Sequence, residues 1–147
     1  MWNHDRSLLL SLFAVRIFFI AWLIAFIGGY YIVDAYVSYL NQKELFLAVL
    51  LPAYGCLIFG FFILIHLHSL LTHIKGNQVF CTSNVQDLRK ISWLCIIIAL
   101  ISLIAVLWYL PFFIVSVAFA FIGLIVRIIK NIIAEAIIIK EENDYTI

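Results

Sequence analysis

Residues 91–126 read ISWLCIIIALISLIAVLWYLPFFIVSVAFAFIGLIV, an apolar run with no charged residue and one proline, Pro111, near its middle. At about 1.5 Å per residue, one helix of this length would reach roughly 54 Å, whereas the hydrocarbon core of a bilayer is about 30 Å thick. The run must therefore fold back on itself, and Pro111 marks the reversal. We predict two membrane-spanning helices here, over residues 91–110 and 112–133.

The composition of the whole chain also indicates a membrane protein. Of its 147 residues, 67% are hydrophobic and 12% are charged, whereas soluble domains are nearer half apolar and a quarter charged. Residues 8–33 and 45–71 are two further apolar segments long enough to cross a bilayer, and only Arg16 interrupts the first. We predict an all-α integral membrane protein, a four-helix bundle that forms one domain over residues 1–147.

The basic residues predict the orientation of these four spans. With four crossings, both termini and the loop of residues 73–90 lie on the same side of the membrane. That side carries eight of the nine Lys and Arg residues, namely Arg6, Arg16, Lys75, Arg89, Lys90, Arg127, Lys130 and Lys140, and the other side carries Lys43. Because cytoplasmic loops are enriched in Lys and Arg, we predict that both termini are cytoplasmic.

The loop of residues 73–90 contains signals for one helix end and one helix start. Lys75-Gly76-Asn77 is typical of a helix stop, with the glycine in a left-handed conformation. Ser83-Asn84-Val85-Gln86 matches a capping box with Ser83 as the N-cap. We therefore expect the third helix to begin at Asn84, before it enters the lipid.

Histidines near the end of the second span do not predict a metal site. His66 and His68 point about 200° apart on a helix, and only His66 and His73, two turns apart, share a face. Two ligands do not make a zinc site. We expect interfacial histidines, and neither a metal nor a cofactor.

A polar stripe lies on the fourth helix. With Arg127 at 0°, Lys130 falls at about −60°, Asn131 at about 40° and Glu135 at about 80°. The stripe could be a charged groove that faces the bundle interior. Alternatively, residues 127–147 are an amphipathic extension at the membrane surface, with the basic residues toward the headgroups, and we favour this interpretation.

The polar residues offer little for catalysis or ion coupling. The sequence contains no serine–histidine–acid arrangement, no HExxH motif and no phosphate-binding glycine loop. Almost no ionisable residue lies near the centre of a span, which argues against a proton relay or an ion-coupled transporter. We expect no enzyme activity. A homo-oligomer is compatible with the large lateral surface of four helices, but no GxxxG motif selects a face.

Short motifs in the loop of residues 73–90 and at the end of the chain resemble those of a known family. Lys75-Gly76-Asn77-Gln78-Val79-Phe80, then Asn84-Val85 and Leu88-Arg89, is similar to the signature of the DUF2975 family of bacterial four-span membrane proteins. The end of the chain, residues 141–147, resembles that family's acidic terminus, with Tyr145 in place of a leucine. The resemblance covers nearly the whole chain and implies a multi-pass protein of the bacterial plasma (inner) membrane.

The resemblance also implies a partner. Members of this family have no known biochemical function, and their genes often neighbour a small helix-turn-helix regulator. This implies a membrane protein that binds or controls a cytosolic transcription regulator, without itself contacting nucleic acid. The residues that we assign to partner binding are Phe80, Asn84, Arg89, Asp144, Tyr145, Thr146 and Ile147.

Two alternatives stay open at this point. An exposed Phe80 among polar neighbours is a plausible docking anchor, but it could instead dip into the membrane interface while the acidic tail folds onto Lys75, Arg89 or Lys90. At the level of function, the alternative is a small transporter or an immunity-type membrane protein that handles a peptide or a lipophilic compound.

Overall fold

The computed structural model of the protein describes residues 4–76 and 78–145, with side chains from residue 7 onward. Within these residues lie four α-helices, α1 (His4–Tyr39), α2 (Phe46–Lys75), α3 (Thr82–Ala105) and α4 (Phe112–Tyr145). A short 3-10 helix, Lys43–Leu45, separates α1 from α2. Each of the four α-helices is long and apolar enough to cross a membrane. The prediction of an all-α, four-span membrane protein is therefore confirmed.

Pro111 stands at the reversal between α3 and α4, as predicted. However, α3 ends at Ala105 rather than at residue 110, and residues 106–111 form the turn. In this turn the Tyr109 N–H donates to the Ala105 carbonyl over 2.9 Å. Proline has no N–H and disfavours a helical conformation in the residue before it, so one helix cannot continue through Leu110, and α4 begins at Phe112.

The end of α2 lies where the sequence predicts it, but its conformation differs. The helix ends at Lys75, and the next residue, Gly76, has a φ of −79°, which is not left-handed. The Gly76 N–H donates to the Thr72 carbonyl, and the Gln78 N–H donates to the His73 carbonyl. These two bonds satisfy carbonyls at the helix end without a left-handed residue.

The predicted capping box at the start of α3 is wrong. The helix begins at Thr82 rather than at Asn84, and Cys81 occupies the cap position without a side-chain hydrogen bond. Ser83, the expected N-cap, is the second residue of the helix and is exposed. Cys81 has an extended backbone, and the Asn84 side chain, inside the first turn, binds carbonyls of the preceding loop instead.

The four α-helices pack in chain order, so that α3 lies between α2 and α4. α3 is the best buried of them. In its most apolar stretch of 18 residues, 44% of the residues are buried, against 6% in the corresponding stretch of α1, 6% in that of α2 and 11% in that of α4. Within the described residues, the backbones of α1 and α4 make no contact. The bundle is therefore open between its first and last helices, and its many exposed apolar side chains offer a surface suited to lipid.

Two serine hydroxyls connect α3 to α4. Ser92 donates to the Gly123 carbonyl over 2.9 Å, and Ser116 donates to the Ala99 carbonyl over 2.9 Å. Glycine at position 123 permits the close approach, because an added β-carbon would lie 3.2 Å from Cβ of Cys95. Small residues and polar side chains are the usual means of joining helices in a bilayer, where apolar burial between them supplies little driving force.

Aromatic side chains connect α1 to α2 in a similar way. The Trp22 Nε1–H donates to the Leu57 carbonyl over 2.8 Å, and the Tyr54 hydroxyl donates to the Phe26 carbonyl over 2.9 Å. Gly29 lies directly against the Tyr54 ring. Both donors bind main-chain carbonyls on the neighbouring helix, so they fix how far α1 and α2 can slide past each other.

The two ends of the bundle differ in chemistry. At the aromatic end, which carries Tyr30, Tyr36, Tyr39, Trp108 and Tyr109, the hydroxyls of Tyr36 and Tyr109 hydrogen bond to each other. Beneath them Val33, Val37 and Val49 form a small core against which Phe112 packs. The opposite, basic end carries Lys75, Arg89, Lys90, Arg127 and Lys130. The aromatic residues and most of the basic residues therefore lie at opposite ends of the bundle.

Candidate docking face at the basic end

Asn84 binds the loop between α2 and α3 at two of its described residues. Its Nδ2 group donates to the Gln78 carbonyl over 2.8 Å and to the Val79 carbonyl over 2.9 Å. The Asn84 residue is 1% exposed. Because both amide hydrogens bind carbonyls of the loop, this one buried side chain supports two successive loop residues from within α3.

His73 completes this arrangement from α2. Its Nδ1 atom lies 3.0 Å from Oδ1 of Asn84. Since the Nδ2 group of Asn84 already donates twice, its Oδ1 is an acceptor, and His73 must carry its hydrogen on Nδ1. Asn84 therefore connects the last turn of α2, the loop and the first turn of α3.

A second polar network lies between α2 and α3, one to two helical turns farther from the loop than Asn84 and His73. The Asp87 carboxylate accepts from Nδ1 of His66 over 2.9 Å and from the Ser69 hydroxyl over 2.8 Å. Asp87 is buried and His66 is half-buried. Hydrogen bonding of both carboxylate oxygens offsets the cost of burying this acid. The network holds α2 against α3 just below the loop.

These two networks are only partly visible in the sequence. The prediction that His66 and His73 share a helix face is confirmed, since both side chains point at α3. The partners, Asp87 and Asn84, are three residues apart on α3 and so also share a face. These two polar pairs, each on one helix face, are the signal that sequence reasoning missed.

The other predicted docking residues of this region lie on the outside. Phe80 is 52% exposed on the loop that Asn84 supports, and Arg89 is exposed on α3. Asn84 itself is buried, so in this conformation it can serve a partner only by shaping the loop. The structure thus presents an ordered loop with an aromatic side chain at its surface.

The C-terminal residues continue α4 rather than folding back. The Ser92–Gly123 and Ser116–Ala99 bonds share one antiparallel register, which places the start of α3 level with residue 133. The helix then continues to Tyr145, about 12 residues or roughly 18 Å farther. Asp144 and Tyr145 are exposed, whereas Thr146 and Ile147 lie outside the described residues. Among the described residues, no ion pair joins Asp144 to the cations of the loop.

The predicted polar stripe on α4 is divided between two environments. The Arg127 guanidinium lies over the Trp93 ring of α3, 5.4 Å from its centroid. Arg127 and Lys130 line a hollow between α3 and α4 of about 290 Å³. Asn131 and Glu135 are exposed and do not line it. Part of the stripe therefore faces a groove between helices, and part faces outward.

The chain was compared with known protein families, curated proteins and solved structures. The family model described as "Protein of unknown function (DUF2975)" matches residues 8–147. No curated protein matches the chain, and no solved structure matches it.

Proposed function

The chain belongs to the DUF2975 family, and from this membership and the ordered loop at its basic end we propose that it is a non-enzymatic membrane protein that binds a small cytosolic helix-turn-helix regulator. The regulator would be held at the membrane, in a bacterial plasma membrane, and controlled by being held there. The basic end would face the cytoplasm, in agreement with the distribution of Lys and Arg.

The observation that carries this proposal is the exposure of Phe80 on a loop that is already ordered. About half of this large apolar residue is exposed. Asn84 and His73 hold the loop without help from a partner. Binding would therefore cost little additional ordering of the loop, which favours affinity.

The extension of α4 supplies a second surface beside the loop. Residues 134–145 continue past the level where α3 begins, and apolar Ile138 and Ile139 are about half exposed there. A partner that contacts Phe80 could also pack against this helix. Helix-in-groove packing is a common way for a small helical protein to bind an exposed helix.

The proposal is tested by affinity purification of the tagged full-length protein from its native cells, with the recovered proteins identified by mass spectrometry. We expect a small helix-turn-helix protein to be recovered. Phe80→Asp should weaken its binding at least about 30-fold, because burying a charge at the centre of an interface costs about 2 kcal/mol or more. Deletion of residues 144–147 should also reduce recovery.

The matched control is Tyr39→Asp, which makes the same kind of change on an exposed aromatic residue at the aromatic end. This variant should recover as much regulator as the wild type. Absence of any helix-turn-helix protein from the recovered material would contradict the proposed function. Equal recovery by the wild type, Phe80→Asp and the truncated chain would reject these residues as the docking face.

A further inference from the structure

Three cationic side chains converge on the hollow between α3 and α4. Arg89 lines it from α3, and Arg127 and Lys130 line it from α4. Trp93 forms one wall, with the Arg127 guanidinium 5.4 Å from its ring centroid. Ser92, whose hydroxyl binds the Gly123 carbonyl, also lines the hollow, beside the close approach of the two helices at Gly123.

Among the side chains that the structure describes, these three charges have no acidic partner. Among the described residues, no carboxylate makes an ion pair with Arg89, Arg127 or Lys130. The acidic residue of α3, Asp87, is engaged by His66 and Ser69 of α2. Like charges that line one hollow repel one another, and the repulsion is stronger near hydrocarbon than in water. The arrangement is therefore incomplete without an anion.

The depth of the hollow indicates where this anion comes from. Between the start of α4 and Arg127 lie 15 apolar residues, 112–126, which span roughly 22 Å against about 30 Å for the hydrocarbon core. With Phe112 at the aromatic end, the Arg127 backbone lies about 8 Å short of the opposite headgroup layer, and only its long side chain reaches the inner edge of that layer. Its stacking on Trp93 holds the guanidinium at that depth. Lipid phosphates are the anions of this layer.

We propose that this hollow binds the phosphodiester headgroup of an anionic phospholipid from the leaflet at the basic end. Two arginines and a lysine suit a phosphate, because guanidinium groups bind phosphate oxygens with paired hydrogen bonds. The volume of about 290 Å³ can hold a headgroup. This assignment is independent of the docking of a regulator.

A second hollow favours a lipid over a free phosphate. On the α2 side of Arg89 and Trp93 lies a space of about 300 Å³, lined also by Phe62 and Leu94. These apolar side chains offer a surface for an acyl chain beside the cations. A soluble phosphate would use the first hollow alone and would gain nothing from Phe62 and Leu94.

Native mass spectrometry of the full-length protein released from detergent micelles tests the proposal. The probes are phosphatidylglycerol, phosphatidylcholine and glycerol 3-phosphate. We expect one phosphatidylglycerol to bind at least about 10-fold more tightly than phosphatidylcholine. Arg127→Gln combined with Lys130→Gln should weaken phosphatidylglycerol binding by about 30-fold, since each cation near a phosphate contributes about 5-fold.

Two control variants show whether charge at this place is what matters. Lys140→Gln removes one cation from the same helix outside the hollow and should leave lipid binding unchanged. Arg127→Lys combined with Lys130→Arg preserves both charges and should retain the preference for phosphatidylglycerol. Circular dichroism and gel filtration of the glutamine variant, matched to those of the wild type, separate a loss of binding from a loss of folding.

Three results would overturn the assignment. One is equal binding of phosphatidylglycerol and phosphatidylcholine by the wild type. Another is an effect of Lys140→Gln as large as that of the double glutamine variant. A third is binding of glycerol 3-phosphate as tight as that of phosphatidylglycerol, which would identify a phosphate site without a role for the lipid chains.

Discussion

Replacement of Gly123 by alanine should separate α3 from α4. A β-carbon at this position would lie 3.2 Å from Cβ of Cys95 and 3.4 Å from the carbonyl oxygen of Ser92. Both atoms are fixed by the backbone of α3, so neither can rotate away. The helices must move apart locally, and the bond from the Ser92 hydroxyl to the Gly123 carbonyl, now 2.9 Å, would lengthen.

The change in the free energy of unfolding on Gly123→Ala is the sum of two costs and one gain. Overpacking of a close contact costs about 1–3 kcal/mol, and a hydrogen bond between transmembrane helices contributes about 0.6 kcal/mol. Alanine also gains about 1 kcal/mol over glycine in helix propensity. Gly60→Ala makes the same gain without the costs, because nothing lies within 4 Å of its added β-carbon. We expect Gly123→Ala to be about 1.5–3.5 kcal/mol less stable than Gly60→Ala.

The free energy of unfolding can be measured by titration of the purified protein from mild detergent into SDS. Thiol labelling of Cys95 gives an independent reading, because this residue is buried at the same contact. Labelling should accelerate in Gly123→Ala and not in Gly60→Ala, with Cys56 and Cys81 both replaced by alanine in each protein. Equal stability and equal labelling of the two variants would refute the argument from close packing.

Three further substitutions test the polar contacts of α3 and α4. Asn84→Ala leaves two loop carbonyls without their donor, so amide hydrogen exchange in residues 78–81 should accelerate, whereas the exposed control Gln86→Ala should not change it. Asp87→Ala should lower the free energy of unfolding in SDS by about 1–3 kcal/mol, because His66 and Ser69 lose their acceptor; a loss under 0.5 kcal/mol would contradict this. Ser116→Ala should cost about 0.6 kcal/mol in the same titration, and no loss would mean that its bond to Ala99 is dispensable.

The membrane-spanning part of the fold could be predicted because it depends on few, strong effects. A charge-free run too long for one crossing, divided by Pro111, leaves a reversal as the only solution in a bilayer of fixed thickness. The limits of the helices were less accurate, as the early end of α3 at Ala105 shows. Helix ends depend on local hydrogen bonds, which are much weaker than the cost of exposing a span to water.

The candidate site was harder to predict because it depends on how neighbouring helices align. Phe80 and the loop could be identified from residue types, but the burial of Asn84 requires that His73 and the loop carbonyls surround it. The contact of Arg127 with Trp93 likewise follows from the antiparallel register of α3 and α4. Periodicity within one helix shows which residues share a face, but not what that face meets.

The side of the membrane on which the loop lies decides whether a cytosolic protein can reach it. Single cysteines can be placed at two exposed serines of a cysteine-free protein, Ser83 at the basic end and Ser38 at the aromatic end. An impermeant maleimide is then applied to intact spheroplasts and to opened membranes. We predict that Ser38→Cys is labelled in intact spheroplasts and that Ser83→Cys is labelled only after opening. Labelling of Ser83→Cys from outside would contradict the four-span orientation and, with it, the docking of a cytosolic regulator.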